Sequence, residues 1–175
     1  MGNIIRPWQP GDAPALARFL DNPHILDNLR DGLPSPYTED DAREFISAML
    51  AAEPGSVFAF AITQGGECVG SISAARGTNV HRRTAELGYY VAEPYWGRGL
   101  CTAAVKAACA HVFAHSDILR IYAEPFAHNA ASCRVLEKAG FTCEGTLRAA
   151  AIKQGVVRDM RMYRRPGMPN SPRYS

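Results

Sequence analysis

Between Thr84 and Pro125 the chain carries two strand-like runs, "TAELGYYV" and "ILRIYAEP", separated by a glycine break and an alanine-rich helical run from about Leu100 to Ala114. A strand, a helix and a second strand in that order form a βαβ unit, whose two strands pair in parallel because the crossover returns the chain to its starting edge. This unit limits the fold more than any other stretch, since it puts the mouth of a helix at one end of a parallel pair. Pro94, in "AEPYWG", ends the first strand, because proline offers no amide to a ladder.

That helix mouth reads "YWGRGLCTAAV", residues 95 to 105. The first amides of a helix have no partner within it and carry the positive end of its dipole. A glycine-rich approach lets an anion come close to them, and phosphate is the obvious candidate. The same two glycines also fit a tight turn that needs positive φ and binds nothing. A nucleotide-binding P-loop is disfavoured, since GxxxxGK[ST] is absent.

The remaining elements follow from local signals. "NIIRPW" predicts a first strand, and "GDAPALARFLD" a helix capped by Asp12. Thr38 and an acidic first turn open a helix over "TEDDAREFISAMLAAEPG", which ends at the proline-glycine pair. "SVFAFAIT" and "CVGSISAA" flank "QGGE" and predict a hairpin. Asn129 caps "AASCRVLEKAG", with Gly140 at its end, and "FTCEGTLRAAA" and "VVRDMRMY" give two closing strands around "KQG". The order is β-α-α-β-β-β-α-β-α-β-β: seven strands and four helices in one α/β (α+β) domain over 1–165, with a loose tail over 166–175.

Composition narrows the function classes. With 175 residues, 47% hydrophobic and 21% charged, the chain has the make-up of one globular domain. A formal net charge of +2 is too small for a broad nucleic-acid surface. No apolar run reaches membrane-spanning length and "MGNIIRPWQP" has no signal core, so the expected setting is the cytoplasm, away from membranes. Five scattered cysteines without a CxxC pair predict reduced thiols, with neither a disulfide framework nor a zinc site.

The chain resembles, nearly end to end, the GNAT superfamily of acetyl-CoA-dependent N-acetyltransferases, within it the branch of RimJ and RimL ribosomal-protein N-terminal acetyltransferases. The resemblance is carried by "IIRPWQPGDAPAL", "AELGYYVAEPYWGRGLCTAAV", and "HNAASCRVLEKAGFTCEG" followed by "LR", and by Asp159 with Tyr163 four residues later. It implies a mixed, mostly antiparallel sheet whose central parallel pair splays around a coenzyme A site. It also implies acetyl-CoA as co-substrate and a primary amine, a protein N-terminus or a small molecule, as acceptor. The family's loop pattern Q/R-x-x-G-x-G/A is met here with Trp96 at its first position and Cys101 at its last.

By that resemblance, main-chain amides from Trp96, Gly97, Arg98, Gly99, Leu100, Cys101 and Thr102 cradle the pyrophosphate. Backbone groups of Tyr90, Val91 and Ala92 meet the pantetheine arm, with the Val91 amide polarising the thioester carbonyl. Asn129 adds a side-chain contact and Ser132 protonates the leaving thiolate. Read from the residues alone, both are equally a helix cap and a surface hydroxyl. Glu86 is the first candidate for the base that takes the amine's proton, and Glu124 the competitor; a structural ion pair is the plainer reading of either.

Other features point away from chemistry. His111 and His115 lie four apart on one helix but lack HExxH and a third ligand, so no metal is expected. Cys101 and Cys133 are near the donor site without an activating histidine, which makes small core residues the better reading than an acyl-cysteine. Trp8, Trp96, Tyr89 and Tyr90 read as packing residues, with Tyr90 the one to meet ligand. The segment 24–37, "HILDNLRDGLPSPY", is the expected acceptor wall, where Asp27, Arg30 and Asp31 face either a charged substrate or water. The contrasting function is an acyl-CoA-binding sensor without turnover, and monomer and homodimer are both open.

Overall fold

The computed structural model describes residues 3–167. Seven strands form one sheet in the order β1-β2-β3-β4-β5-β7-β6, and every neighbouring pair is antiparallel except β4–β5. The strands are β1 (Ile5–Pro7), β2 (Val57–Gln64), β3 (Glu67–Arg76), β4 (Thr84–Val91), β5 (Arg120–Ala123), β6 (Thr142–Lys153) and β7 (Val156–Pro166). The helices are α1 (Ala13–Leu20), α2 (Pro23–Leu26), α3 (Glu39–Ala51), α4 (Leu100–His115) and α5 (Ala130–Lys138). The parallel pair expected from the βαβ unit is therefore present, with α4 as its crossover.

One helix goes beyond the sequence reading. At the start of the segment 24–37, Asn22 just before it accepts a hydrogen bond from the His24 amide at 2.9 Å, and Pro23 fits the first turn, so a single turn, α2, forms there. Asp12 also departs from its expected role. It precedes α1 but makes no side-chain cap; its carboxylate accepts from Arg6 through two bonds, at 2.7 and 2.8 Å, and from the Gln9 amide at 2.9 Å. A fixed guanidinium fork outcompetes a lone amide for a buried carboxylate. At α3 the expected cap forms in full, as Thr38 Oγ1 accepts from the Asp41 amide while Asp41 accepts from the Thr38 amide.

Two cores cover the two faces of the sheet. Alternation along β4 sends Ala85, Leu87, Tyr89 and Val91 toward α4 and α5, where Val105, Cys109, Val112, Ile121, Leu136 and Tyr163 are fully buried. Truncating Ile121 or Leu136 to alanine there costs about 2–5 kcal/mol. Tyr90 turns to the other face, against a cluster of Trp8, Leu16, Leu20, Ile25, Tyr37 and Ile46. Strand β7 runs past the boundary expected at 165, and the Gly167 amide donates to the Leu119 carbonyl at 2.9 Å. Residues 168–175 of the expected tail lie outside the described residues.

Candidate active site

The site begins where the parallel pair stops. Strands β4 and β5 are in register over three rungs only, Thr84↔Arg120, Ala85↔Ile121 and Glu86↔Tyr122. Beyond Glu86 the edge of β4 has no β5 partner, and its backbone groups are left for something else. Which groups those are follows from the other edge. Ala92 donates to the Val69 carbonyl at 2.8 Å, in the same register as Gly70↔Val91. Antiparallel ladders pair alternate residues, so Tyr90 and Ala92 spend their backbone groups on β3, while Leu87, Tyr89 and Val91 point theirs into the cleft. The expectation that Tyr90, Val91 and Ala92 are all free is thus corrected. The Val91 amide faces the gap, its carbonyl accepts from the Trp96 indole at 2.7 Å, and both Tyr89 and Tyr90 line the cavity beside it.

The loop after β4 is built to leave amides unpaired. A 3-10 turn at Glu93–Tyr95 is closed by the Tyr95 amide on Ala92 and the Trp96 amide on Glu93. Trp96 therefore contributes its side chain and not its amide, a second correction to the expected cradle. Gly97 and Gly99 both sit at φ 75°, where a side chain adds strain, and Gly99 is the N-cap of α4. The first helical bond runs from the Ala103 amide to Gly99, so the amides of Gly97 through Thr102 are left to an outside acceptor. The two readings of the glycines hold together: they supply the turn, and the turn presents the amides.

These amides open on a cavity of about 500 Å³. Its walls are β4 at Tyr89–Val91, the loop and first turn of α4, α5 from Asn129 to Lys138, and α2 with Asn28 and Leu29. Arg98, Arg134 and Lys138 line it, and among the described lining residues none is a carboxylate, so the potential inside favours an anion. Asn129 caps α5 by accepting from the Ser132 amide at 3.2 Å, and it also faces the cavity. Ser132 Oγ lies 2.8 Å from the Tyr89 hydroxyl. Burial raises the Tyr89 hydroxyl well above its ordinary value, so it stays protonated. Sequence reasoning took Tyr89 for packing, and only the cleft edge of β4 marks it otherwise.

Burial likewise pushes the Cys101 thiol up to about 11, which leaves it a thiol in the cavity wall. Cys133 is buried in the core. His111 stacks on His115 at 4.2 Å and meets Phe60 edge-on at 5.0 Å, as part of an aromatic cluster. Among the described residues, no group of three or more His, Cys, Asp or Glu is placed to hold a metal ion.

Glu86 and Glu124 do not line this cavity, but the structure brings them together. Both carboxylates meet Arg30 Nη2, Glu124 at 3.1 Å and Glu86 closer still. The Tyr122 hydroxyl points at Glu86 from 3.5 Å. The expected wall over 24–37 is held in place by the β6–β7 hairpin: Asp31 pairs with Lys153 at 2.7 Å, and Asp27 accepts from Gln154 at 2.8 Å. Asp27, Arg30 and Asp31 thus have protein partners, where the sequence left a choice between substrate and water.

A parallel pair that ends after three rungs, a run of unpaired amides at the mouth of the crossover helix and a cationic cavity form one arrangement, and comparison with known proteins identifies the family of the chain that carries it. The model of the acetyltransferase (GNAT) domain matches residues 4–142. The chain belongs to the GNAT family of acetyl-CoA-dependent N-acetyltransferases. Mycobacterium smegmatis RimJ, solved in complex with CoA-disulfide, is similar at 29% identity with a TM-score of 0.83, over 95% of this chain and 84% of that one. The ribosomal-protein-serine acetyltransferase of Escherichia coli is 27% identical over 129 residues, 73% of this chain and 72% of its own. An uncharacterized N-acetyltransferase of Bacillus subtilis, YoaA, is 33% identical over 97 residues, 55% of this chain and 54% of its own length. The unpaired edge of β4 and the amides of the α4 mouth open on the same cavity. The Arg30 cluster lies on the opposite face of the sheet, with Glu86 and Tyr90.

Proposed function

We propose that the chain acts as one acetyltransferase domain that passes the acetyl group of acetyl-CoA directly to the α-amine of a peptide or protein. One observation carries the reading: the same cavity is lined by Gly97–Thr102, whose amides are free, and by the Tyr89–Ser132 hydroxyl pair. The amides and the dipole of α4 hold the pyrophosphate, with Arg98, Arg134 and Lys138 supplying charge for the remaining phosphate. The Val91 amide donates to the thioester carbonyl as negative charge grows on it. The amine attacks the acetyl carbon and its nitrogen gives up a proton to Glu86 or Glu124, the carbon–sulfur bond breaks, and Ser132, hydrogen-bonded to Tyr89, gives the thiolate a proton and regains one from water. An enzyme has use for that hydroxyl pair; a sensor that only binds does not.

The α-amine is favoured by acidity. At pH 7.3 roughly a quarter of an α-amine is neutral, against fewer than about one lysine-type amine in a thousand. Glu86 and Glu124 share Arg30, so each is already engaged as an ion-pair partner, and an acceptor that loses its proton readily suits such a base. The name of the ribosomal-protein-serine acetyltransferase agrees with a protein acceptor. All five cysteines are free, as suits a reducing compartment, and we assign the reaction to the cytoplasm. Thiol release from acetyl-CoA with free-amine and N-acetylated forms of the same peptides tests the reading: turnover must require the free amine.

A further inference from the structure

Among the described residues Arg30 is the one guanidinium that touches both candidate bases, and its position has a second meaning. Glu86 and Glu124 stand on neighbouring parallel strands, one at the last paired rung and the other just past the end of β5, where the cleft opens. Their side chains are 30% and 22% exposed, while Arg30 is 60% exposed and comes from an irregular segment. The carboxylates are fixed by the sheet; the cation can leave by rotation into water. Asp31–Lys153 and Asp27–Gln154 hold the segment on either side, so the guanidinium can swing out while its backbone stays in place.

Resting on the acetyl-transfer reading, we infer that Arg30 occupies the seat of the acceptor's ammonium group and must be displaced for the acceptor to bind. Two carboxylates against one guanidinium leave this cluster one negative charge in excess, which draws a further cation toward it. An ammonium is compact and carries three donors, so it bridges two carboxylates at the spacing Arg30 now spans. Having arrived on the face of Glu86 and Tyr90, the amine loses its proton to the vacated carboxylates and reaches through the cleft to the thioester on the other face. Arg30 thereby selects for acceptors that bring a positive charge, because a neutral group cannot compensate two half-buried carboxylates. It also weakens acceptor binding by the fraction of time it holds the seat.

The test is calorimetric binding of the tripeptide Ser-Ala-Gly amide, in free-amine and N-acetylated forms, to the CoA-loaded protein at low salt, in wild type and Arg30→Gln. The free-amine peptide is expected to bind roughly 5- to 10-fold more tightly to Arg30→Gln, with no gain for the acetylated peptide. Adding Glu86→Gln and Glu124→Gln to Arg30→Gln removes the gain. Equal or weaker binding of the free amine to Arg30→Gln overturns the inference, the weaker case making Arg30 a direct anchor of the acceptor. The two readings fail separately: a binding gain without wild-type turnover contradicts acetyl transfer and keeps the cation seat, while turnover without the gain contradicts the seat alone.

Discussion

The hydroxyls of Tyr89 and Ser132 meet at 2.8 Å across the cavity wall, one from the unpaired edge of β4 and the other from the first turn of α5. Because burial holds the Tyr89 proton on, Tyr89 stays a neutral hydrogen-bonding partner that positions Ser132 beside a leaving thiolate. A CoA thiol has an ordinary thiol acidity and leaves fairly well unaided, so the benefit lies at the low end for acid catalysis. Ser132→Ala is expected to lower kcat about 10- to 100-fold with little change in acetyl-CoA affinity. Tyr89→Phe falls between it and wild type, and the double variant is no worse than Ser132→Ala alone, as stopped-flow turnover and CoA titration will measure.

The α4 mouth predicts the opposite split. At φ 75°, an alanine at Gly99 costs about 1–2 kcal/mol of backbone strain and tilts the amides it caps. Gly99→Ala should raise the Kd for acetyl-CoA roughly 10-fold or more in calorimetry, while kcat at saturating acetyl-CoA changes by less than about 3-fold.

Glu86→Gln and Glu124→Gln separate base from bystander. If Glu86 collects the amine's proton, its glutamine variant loses kcat with little change in acceptor KM, whereas the Glu124 variant keeps kcat and loses acceptor affinity. Initial rates of both variants against one α-amine peptide read this directly.

Asp12 governs acid stability. Burial works against its charge, but the hydrogen bonds from Arg6 and the Gln9 amide outweigh it and hold the carboxyl below its ordinary value. Its contribution is therefore present above the unfolded carboxyl value near pH 4 and is lost as pH falls through the depressed native value. Asp12→Asn should destabilise the protein by about 2 kcal/mol at pH 7 and flatten the loss of stability below pH 4, as urea melts across pH will show.

Much of the fold was legible because it is written locally. Thr38 and Asp41, three apart, announce the start of α3, and Gly65–Gly66 announce a hairpin, since each signal acts within one turn of chain. The βαβ unit placed the glycine loop at the cleft for the same reason. What escaped depends on distant partners. Nothing near Asp12 says that Arg6 will claim it from its helix, and nothing near Arg30 says that Glu124, 94 residues on, will meet it. Which of Tyr89 and Tyr90 turns its backbone groups to the cleft was not legible either, because pairing parity with β3 decides which edge is spent, and that parity is set by register, not by either residue.

Initial rates of thiol release with acetyl-CoA and a free-α-amine peptide, varied against each other, test the central claim most directly. Direct transfer in a ternary complex predicts intersecting double-reciprocal lines and an N-acetylated product by mass spectrometry. Parallel lines with an acetylated cysteine would replace it with a covalent route, and amine-independent or absent thiol release at saturating acetyl-CoA would contradict it.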